Sequence, residues 1–237
     1  MLEAINNFPK QFAWMPEIKN RLLAKFNKFV LVGMGGSHLA ADLIQAWNPL
    51  KNILIHRDYG LPPLSEKGAS ERLVILSSYS GNTEEIIDAF NITLEKKLAM
   101  AVIAAGGKLI ELAKENNISY IQLPATDIQP RSAVGFSLRA ILKLMNEEEL
   151  LAEISSLSEF LKPENYQQEG KKLSAKLKGF APIIYSSEKN KALAYNWKIK
   201  FNETVKIPSF CNFFPELNHN EMTGFDIREA TKDLSKN

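Results

Sequence analysis

Short apolar runs alternate with longer amphipathic ones through the first 150 residues. "FVLVG" (29–33), "NILIH" (52–56), "LVILS" (73–77), "LAMAVIAA" (98–105) and "YIQLP" (120–124) are short and bounded by glycine, proline or polar residues. They read as buried strands. Leu39, Leu43 and Trp47 fall four apart, as do Ile86, Phe90 and Leu94, so the intervening segments read as helices with one apolar stripe each. The exception is "RDYGLPPLSEKG", whose prolines and glycines mark a loop. Continuous apolar strands alternating with helices imply an α/β fold: a parallel sheet flanked by helices, with ligands taken at the carboxyl ends of the strands.

Beyond Leu150 the pattern thins. Residues 150–180 are polar and helical, with "KPEN" as a break; "APIIYSS" (181–187) reads as one more strand. Leu193, Trp197 and Phe201 mark a helix face, "TVKIPSF" reads as extended, and "CNFFPELNHNEMTGF" reads as irregular, its "FCNFF" start explained by core packing around an inert Cys211. The expected organisation is a first α/β domain over 1–150 and a second, shorter α/β unit over 151–237.

Composition narrows the function. Net charge is +2 with the charges interspersed, which gives no footprint for nucleic acid or an anionic membrane surface. No apolar run approaches the ~18 residues of a membrane span, and the N-terminus lacks a secretory signal pattern. The single cysteine forms no internal disulfide, in keeping with a reducing compartment. A cytoplasmic globular protein is expected.

The candidate chemistry sits where strands turn into helices. "VLVGMGGSHLAADL" places Gly33, Gly35, Gly36 and Ser37 at such a turn, where backbone N–H groups face an anion; His38 breaks a dinucleotide fingerprint. "SSYSGNTEE" (77–85) holds more hydroxyls than a helix cap needs. Asn82 with Glu85 reads as a capping-box-like pair, with Glu84 and Glu85 favoured by the helix dipole. That leaves Ser78, Ser80 and Thr83 as donors for a small phosphate ester. Arg131 follows Pro130 near a helix start, where a cation is disfavoured unless an anion or developing oxyanion sits nearby. Glu203 and His219 offer a carboxylate and an imidazole for proton transfer, against the plainer readings of a solvated helix-end residue and a loop histidine. His219 and Glu221 have no recognised metal spacing, and His38 and His56 read as ordinary polar residues near turns.

Taken in order, "GMGGSHLAADL", "RDYGLPP", "SSYSGNTEE", "QPRSAVGFSL", "NET" and "ELNHNEMTGF" resemble the bifunctional phosphoglucose/phosphomannose isomerase family of the sugar isomerase (SIS) superfamily, over about residues 30–225. The resemblance implies two SIS domains and a homodimer. It implies that Gly35, Gly36, Ser37, Ser78, Ser80 and Thr83 hold a sugar phosphate, and that Arg131 stabilises an enediolate. Glu203 would move a proton between C1 and C2, and His219, reaching in from the partner subunit, would assist ring opening. Neither metal nor cofactor is implied. Family members continue past the "NHNE" segment to a lysine implicated in the active site. Lys232 and Lys236 lie too near that segment to match it, so a C-terminally short member is expected. The alternatives are a non-catalytic sugar-phosphate-binding protein and an isomerase of another sugar phosphate, such as arabinose 5-phosphate.

Overall fold

The structure, a computed structural model, describes residues 1–20 and 24–233; Lys236 lies outside them. Its compact units are Met1–Lys172 and Leu173–Asn237.

The first unit is built on a six-stranded sheet in the order β1-β6-β5-β4-β2-β3. The strands are β1 (Ile18–Lys19), β2 (Lys28–Gly33), β3 (Asn52–His56), β4 (Leu73–Ser77), β5 (Met100–Ala104) and β6 (Ser119–Gln122). All neighbours are parallel except β1, which pairs antiparallel with β6. β1 has only two residues and no periodicity to announce it. The helices are α1 (Leu2–Asn6), α2 (Leu39–Trp47), α3 (Glu66–Ser70), α4 (Glu84–Glu95), α5 (Gly107–Glu115), α6 (Val134–Leu144), α7 (Glu148–Ser155) and α8 (Leu157–Phe160). α3 interrupts the segment expected as loop: Ser65 caps it, its Oγ accepting from Gly68 N–H at 3.1 Å.

Burial follows the strand period. Val30, Val32, Val74, Leu76 and Val102 pack with Ile86 and Phe90 of α4 and Leu109 of α5, while Leu31, Ile75 and Ile103 are equally buried. A sheet covered on both faces demands apolar residues at every position, hence the unbroken "LVILS" and "MAVIA". Sealing a side chain such as Phe90 contributes about 1.5–3 kcal/mol. The chain leaves β2 toward β3 on one side and β4 toward β5 on the other, so β2 and β4 flank the topological switch point of the sheet. In an open α/β sheet that is where a crevice forms.

The first unit ends later than the expected division at 150/151. α7 is bound into it by Arg139, a fully buried residue of α6. The Arg139 guanidinium donates to Leu151 O at 3.2 Å, to Ser155 Oγ at 2.9 Å and to Trp14 O. Burial draws its pKa down, so these acceptors are what make the buried cation tolerable.

In the second unit, β7 (Ile183–Ser187) and β8 (Phe210–Phe214) form a two-stranded parallel sheet. α9 (Gln167–Leu177) straddles the division between units; α10 (Lys191–Lys200) joins the two strands. Two expectations are corrected. "TVKIPSF" is not a strand: Phe201–Val205 is a π-helical turn closed by Lys206 in the left-handed region (φ 62°), and the strand is "FCNFF". The apolar stripe of α10 also faces the other way. Leu193 and Trp197 are 48% and 50% exposed, while Ala192, Ala194 and Ile199 are buried. Small residues let the helix lie close to β7 and β8, which turns the bulky ones outward.

Candidate functional site

The three loops that leave β2, β4 and β5 interlock at the carboxyl edge of the first sheet. β2 ends at Gly33, and a 3-10 turn, Gly35–Ser37, leads into α2. Gly35 has φ +52°, a conformation glycine adopts without cost. Gly36 is required for closeness instead: a Cβ there would stand 2.7 Å from Arg131 N and 2.8 Å from Pro130 C. The glycine turn and the Pro130–Ser132 turn therefore touch backbone to backbone. Arg131 is brought to the same edge, 9% exposed and one turn ahead of α6.

The loop after β4 is held from both sides. Ser77 Oγ donates to Ser37 O at 3.0 Å. Gly81 (φ +73°) and Gly107 (φ +72°) face each other so closely that a Cβ on Gly81 would fall 1.8 Å from Gly106 O. Ala105 N–H donates to Tyr79 O and Leu109 N–H to Gly81 O, each at 2.9 Å. Asn82 does not cap its own helix. Thr83 is the N-cap of α4, and Asn82 Oδ1 instead accepts from Lys108 N–H, at 2.9 Å, in the first turn of α5. This corrects the capping-box reading of Asn82 and Glu85. The side chain stitches two loops together.

With the loops fixed, the hydroxyls acquire a common polarity. Ser37 Oγ accepts from Tyr79 N–H and Ser80 Oγ from Asn82 N–H, both at 3.2 Å. Ser78 Oγ accepts from Gly81 N–H at 3.1 Å and lies 2.8 Å from Thr83 Oγ1. With Ser78 donating to Thr83, the protons of Ser37, Ser80 and Thr83 are left for an outside acceptor. Ser78 is buried and serves as the relay; Ser80 is exposed and Thr83 half-buried. An array of donors with no carboxylate among them suits an anion rich in acceptor oxygens.

Further residues at this edge are not picked out by sequence motifs. His38 is not an ordinary turn residue. It is 1% exposed, with Nδ1 2.5 Å from Asp42 Oδ2, and Arg57 donates to the same carboxylate. Gln11 supplies the missing partners at the start of α6: its Oε1 accepts from Gly135 N–H at 2.9 Å and its Nε2 donates to Ser132 O at 2.7 Å. The other cue, the "GG" pair at 106–107 after β5, was visible but had no motif to attract notice. His56 does sit at a turn, its Nε2 3.1 Å from Tyr59 O.

In the second unit, Glu203 is half-buried inside the π-helical turn after α10, and such turns recur at functional sites. Asn202 braces that turn by donating to Ile207 O at 3.0 Å. His219 is exposed at the end of a 3-10 turn, Glu216–His219. Cys211 is half-buried, and burial pushes its thiol pKa up. Among the described residues, no three His, Cys, Asp or Glu side chains cluster as metal ligands would, and no helix is long and apolar enough to cross a membrane.

Comparison with known proteins adds relatives to this geometry. Residues 166–236 match the family described as "Bacterial phospho-glucose isomerase C-terminal SIS domain". The bifunctional phosphoglucose/phosphomannose isomerase of Caldicellulosiruptor bescii is 34% identical, over 94% of this chain and 71% of that protein. Its counterpart from Aquifex aeolicus is 31% identical, over 96% of this chain and 70% of that one. Among solved structures, the C-terminal domain of glucosamine-fructose-6-phosphate aminotransferase from Francisella tularensis superposes with a TM-score of 0.66. It covers 99% of this chain and 77% of that one at 13% identity, a likeness of fold. The architecture is that of parallel-sheet SIS proteins.

Proposed function

The chain belongs to the bifunctional phosphoglucose/phosphomannose isomerase family, and on that premise we propose that it interconverts glucose 6-phosphate, mannose 6-phosphate or both with fructose 6-phosphate. The observation that carries the reading is the donor array at the β2/β4 switch point, where backbone N–H groups orient Ser37, Ser80 and, through Ser78, Thr83. Gly35 and Gly36 keep the turn free of side chains, so the 6-phosphate can approach the backbone.

The chemistry then requires moving a proton between adjacent carbons. We assign Glu203 as the base that takes the C2 proton of the open-chain aldose and returns it to C1. The electron pair released at C2 becomes the enediolate double bond as the carbonyl oxygen O1 takes negative charge. Arg131, a fixed cation, is assigned to that oxygen. The O2 hydroxyl proton then passes to O1, so that protonation at C1 leaves the carbonyl at C2. A carboxylate gives typically 10²–10⁴-fold in such a transfer. His219, contributed by a second copy of the chain, would protonate the ring oxygen as the pyranose opens.

A homodimer also gives the exposed stripe of α10 and the π-turn, Leu193, Trp197 and Val205, a surface to meet. The substrate is a small cytoplasmic metabolite, and nothing in the assignment calls for a metal or an organic cofactor. A coupled assay converting fructose 6-phosphate to glucose 6-phosphate tests the proposal. Conversion supports it; sugar-phosphate binding without conversion would favour the non-catalytic reading.

A further inference from the structure

Glu221 has no role in the chemistry above, yet both of its carboxylate oxygens are held by side chains of the sheet. Tyr185 of β7 and Asn212 of β8 are register partners across the parallel pair, so their side chains leave the sheet together. Tyr185 Oη donates to Glu221 Oε1 at 2.5 Å, and Asn212 Nδ2 donates to Oε2. The orientation of the Asn212 amide is set separately, because its Oδ1 accepts from Phe213 N–H at 2.9 Å and leaves only the amino group for the carboxylate. Each oxygen of Glu221 thus has its own donor, from two adjacent strands. Hydrogen bonds to an ionised carboxylate are the strong kind.

This grip ties the loop to the sheet, whereas the loop's own hydrogen bonds are local. Between Glu216 and Phe225 the chain runs through two 3-10 turns, whose anchor in the interior is the buried Leu217. Between Leu217 and Glu221, the backbone is tied locally by Asn220, which donates to Glu216 Oε1 at 3.0 Å and accepts from Glu221 N–H at 2.5 Å. His219 stands exposed between these two pins.

We propose that Glu221, clamped by Tyr185 and Asn212, is a positioning residue that sets the place of His219. The inference rests on the reading of His219 as a working residue of the isomerase. A glutamate is needed because a glutamine would keep one acceptor for Tyr185 but turn its own amino group toward that of Asn212. The clamp holds the loop and makes no contact with reacting atoms.

The test follows the His219 imidazole by NMR, in a chain with only three histidines, across wild type, Glu221→Ala, Glu221→Gln and Tyr185→Phe. Tyr185→Phe removes a single bond and covers the case in which Glu221→Ala does not fold. The His219 resonance should move in every variant. Catalytic efficiency (kcat/KM) should fall about tenfold in Glu221→Ala, and the double variant with His219→Ala should be no worse than His219→Ala alone. An unmoved His219 resonance in Tyr185→Phe and Glu221→Gln, or losses that multiply in the double variant, would overturn the positioning role. Should wild type lack isomerase activity, the functional reading fails, while the resonance shifts still decide the positioning claim.

Discussion

The two units solve opposite problems with the same alternation of strand and helix. In the first, the expected stripes of α2 and α4 bury Leu39, Ile86 and Phe90 against the sheet, with only their last members, Trp47 and Leu94, 59% and 37% exposed. The carboxyl edge is built of glycines, hydroxyls and backbone. In the second, α10 lies on the sheet through Ala192, Ala194 and Ile199 and presents Leu193 and Trp197 outward. Hydrophobic periodicity locates a helix in either case. It does not say which face is buried, because small residues that permit close approach weigh little in an apolar pattern. The comparison suggests a division of labour. On the proposed reading, the first unit would hold the anion in a cradle of interlocked loops, and the second would supply the acid–base side chains from irregular backbone.

The sharpest way to break that division is to alter chemistry in the second unit alone. Glu203→Gln should lose about 10²–10⁴-fold in turnover, with sugar-phosphate affinity measured by calorimetry nearly unchanged. Equal losses in both would put Glu203 among the binding groups instead. The mirror-image change is Ser80→Ala with Thr83→Ala. Each hydroxyl that meets a phosphate contributes roughly 1.5–3 kcal/mol as a hydrogen bond to a charged group. Fructose 6-phosphate affinity should therefore drop by two or more orders of magnitude while thermal stability holds. Wild-type affinity in that variant would remove the cradle.

A smaller effect tests the rigidity of the cradle. Gly81→Ala combines a positive φ with a Cβ that would overlap Gly106 O. It should cost at least about 1–3 kcal/mol of stability in urea unfolding; a neutral result would mean the loops are not interlocked. Trp197→Lys should leave stability within about 0.5 kcal/mol but shift sedimentation toward monomer. An unchanged dimer would exclude the α10 stripe from the interface.

The smallest expected effect is with pH. Hydrogen bonds from Asn212 and Tyr185 hold the Glu221 carboxyl below its ordinary range. Its folded value lies under its unfolded one, so the clamp's contribution is present above about pH 4.3 and is lost as pH falls through the folded value. Burial, then the bond to Glu221, pushes Tyr185 up to about 12, so it stays a donor throughout the neutral range. In a His219→Ala background, backbone amide resonances of the 216–225 loop constant from pH 8 to 5 and shifting below that window would match this sign. A shift of the loop on raising pH from 5 to 8 would reverse it.

Much of the cradle was legible because its physics is local. "NILIH" and "LVILS" are strands over the expected residues, and the Gly-Gly-Ser turn and the hydroxyl loop follow their strands as read. What stayed hidden depends on partners far along the chain. Asn82 bonds to Lys108, and Gln11 reaches Gly135 across 124 residues. Arg139 is buried against the carbonyls of Trp14 and Leu151, 125 and 12 residues away, and the Ser155 hydroxyl. A sequence window sees a capping residue, a polar residue and a cation in each case. In the second unit the error was one of register. Pro208 and the β-branched residues before it suggested extension, but α10 overruns into a π-turn, so the strand begins at Phe210. The same overrun places Glu203 in irregular backbone.

The central claim is that this chain abstracts the proton beside a sugar carbonyl. The direct measurement incubates wild-type protein with glucose 6-phosphate in deuterium oxide and follows the C2 proton by NMR. The account expects that signal to disappear as fructose 6-phosphate forms, with deuterium incorporated on carbon, and to persist with Glu203→Gln. Conversion or exchange undiminished in Glu203→Gln would contradict it.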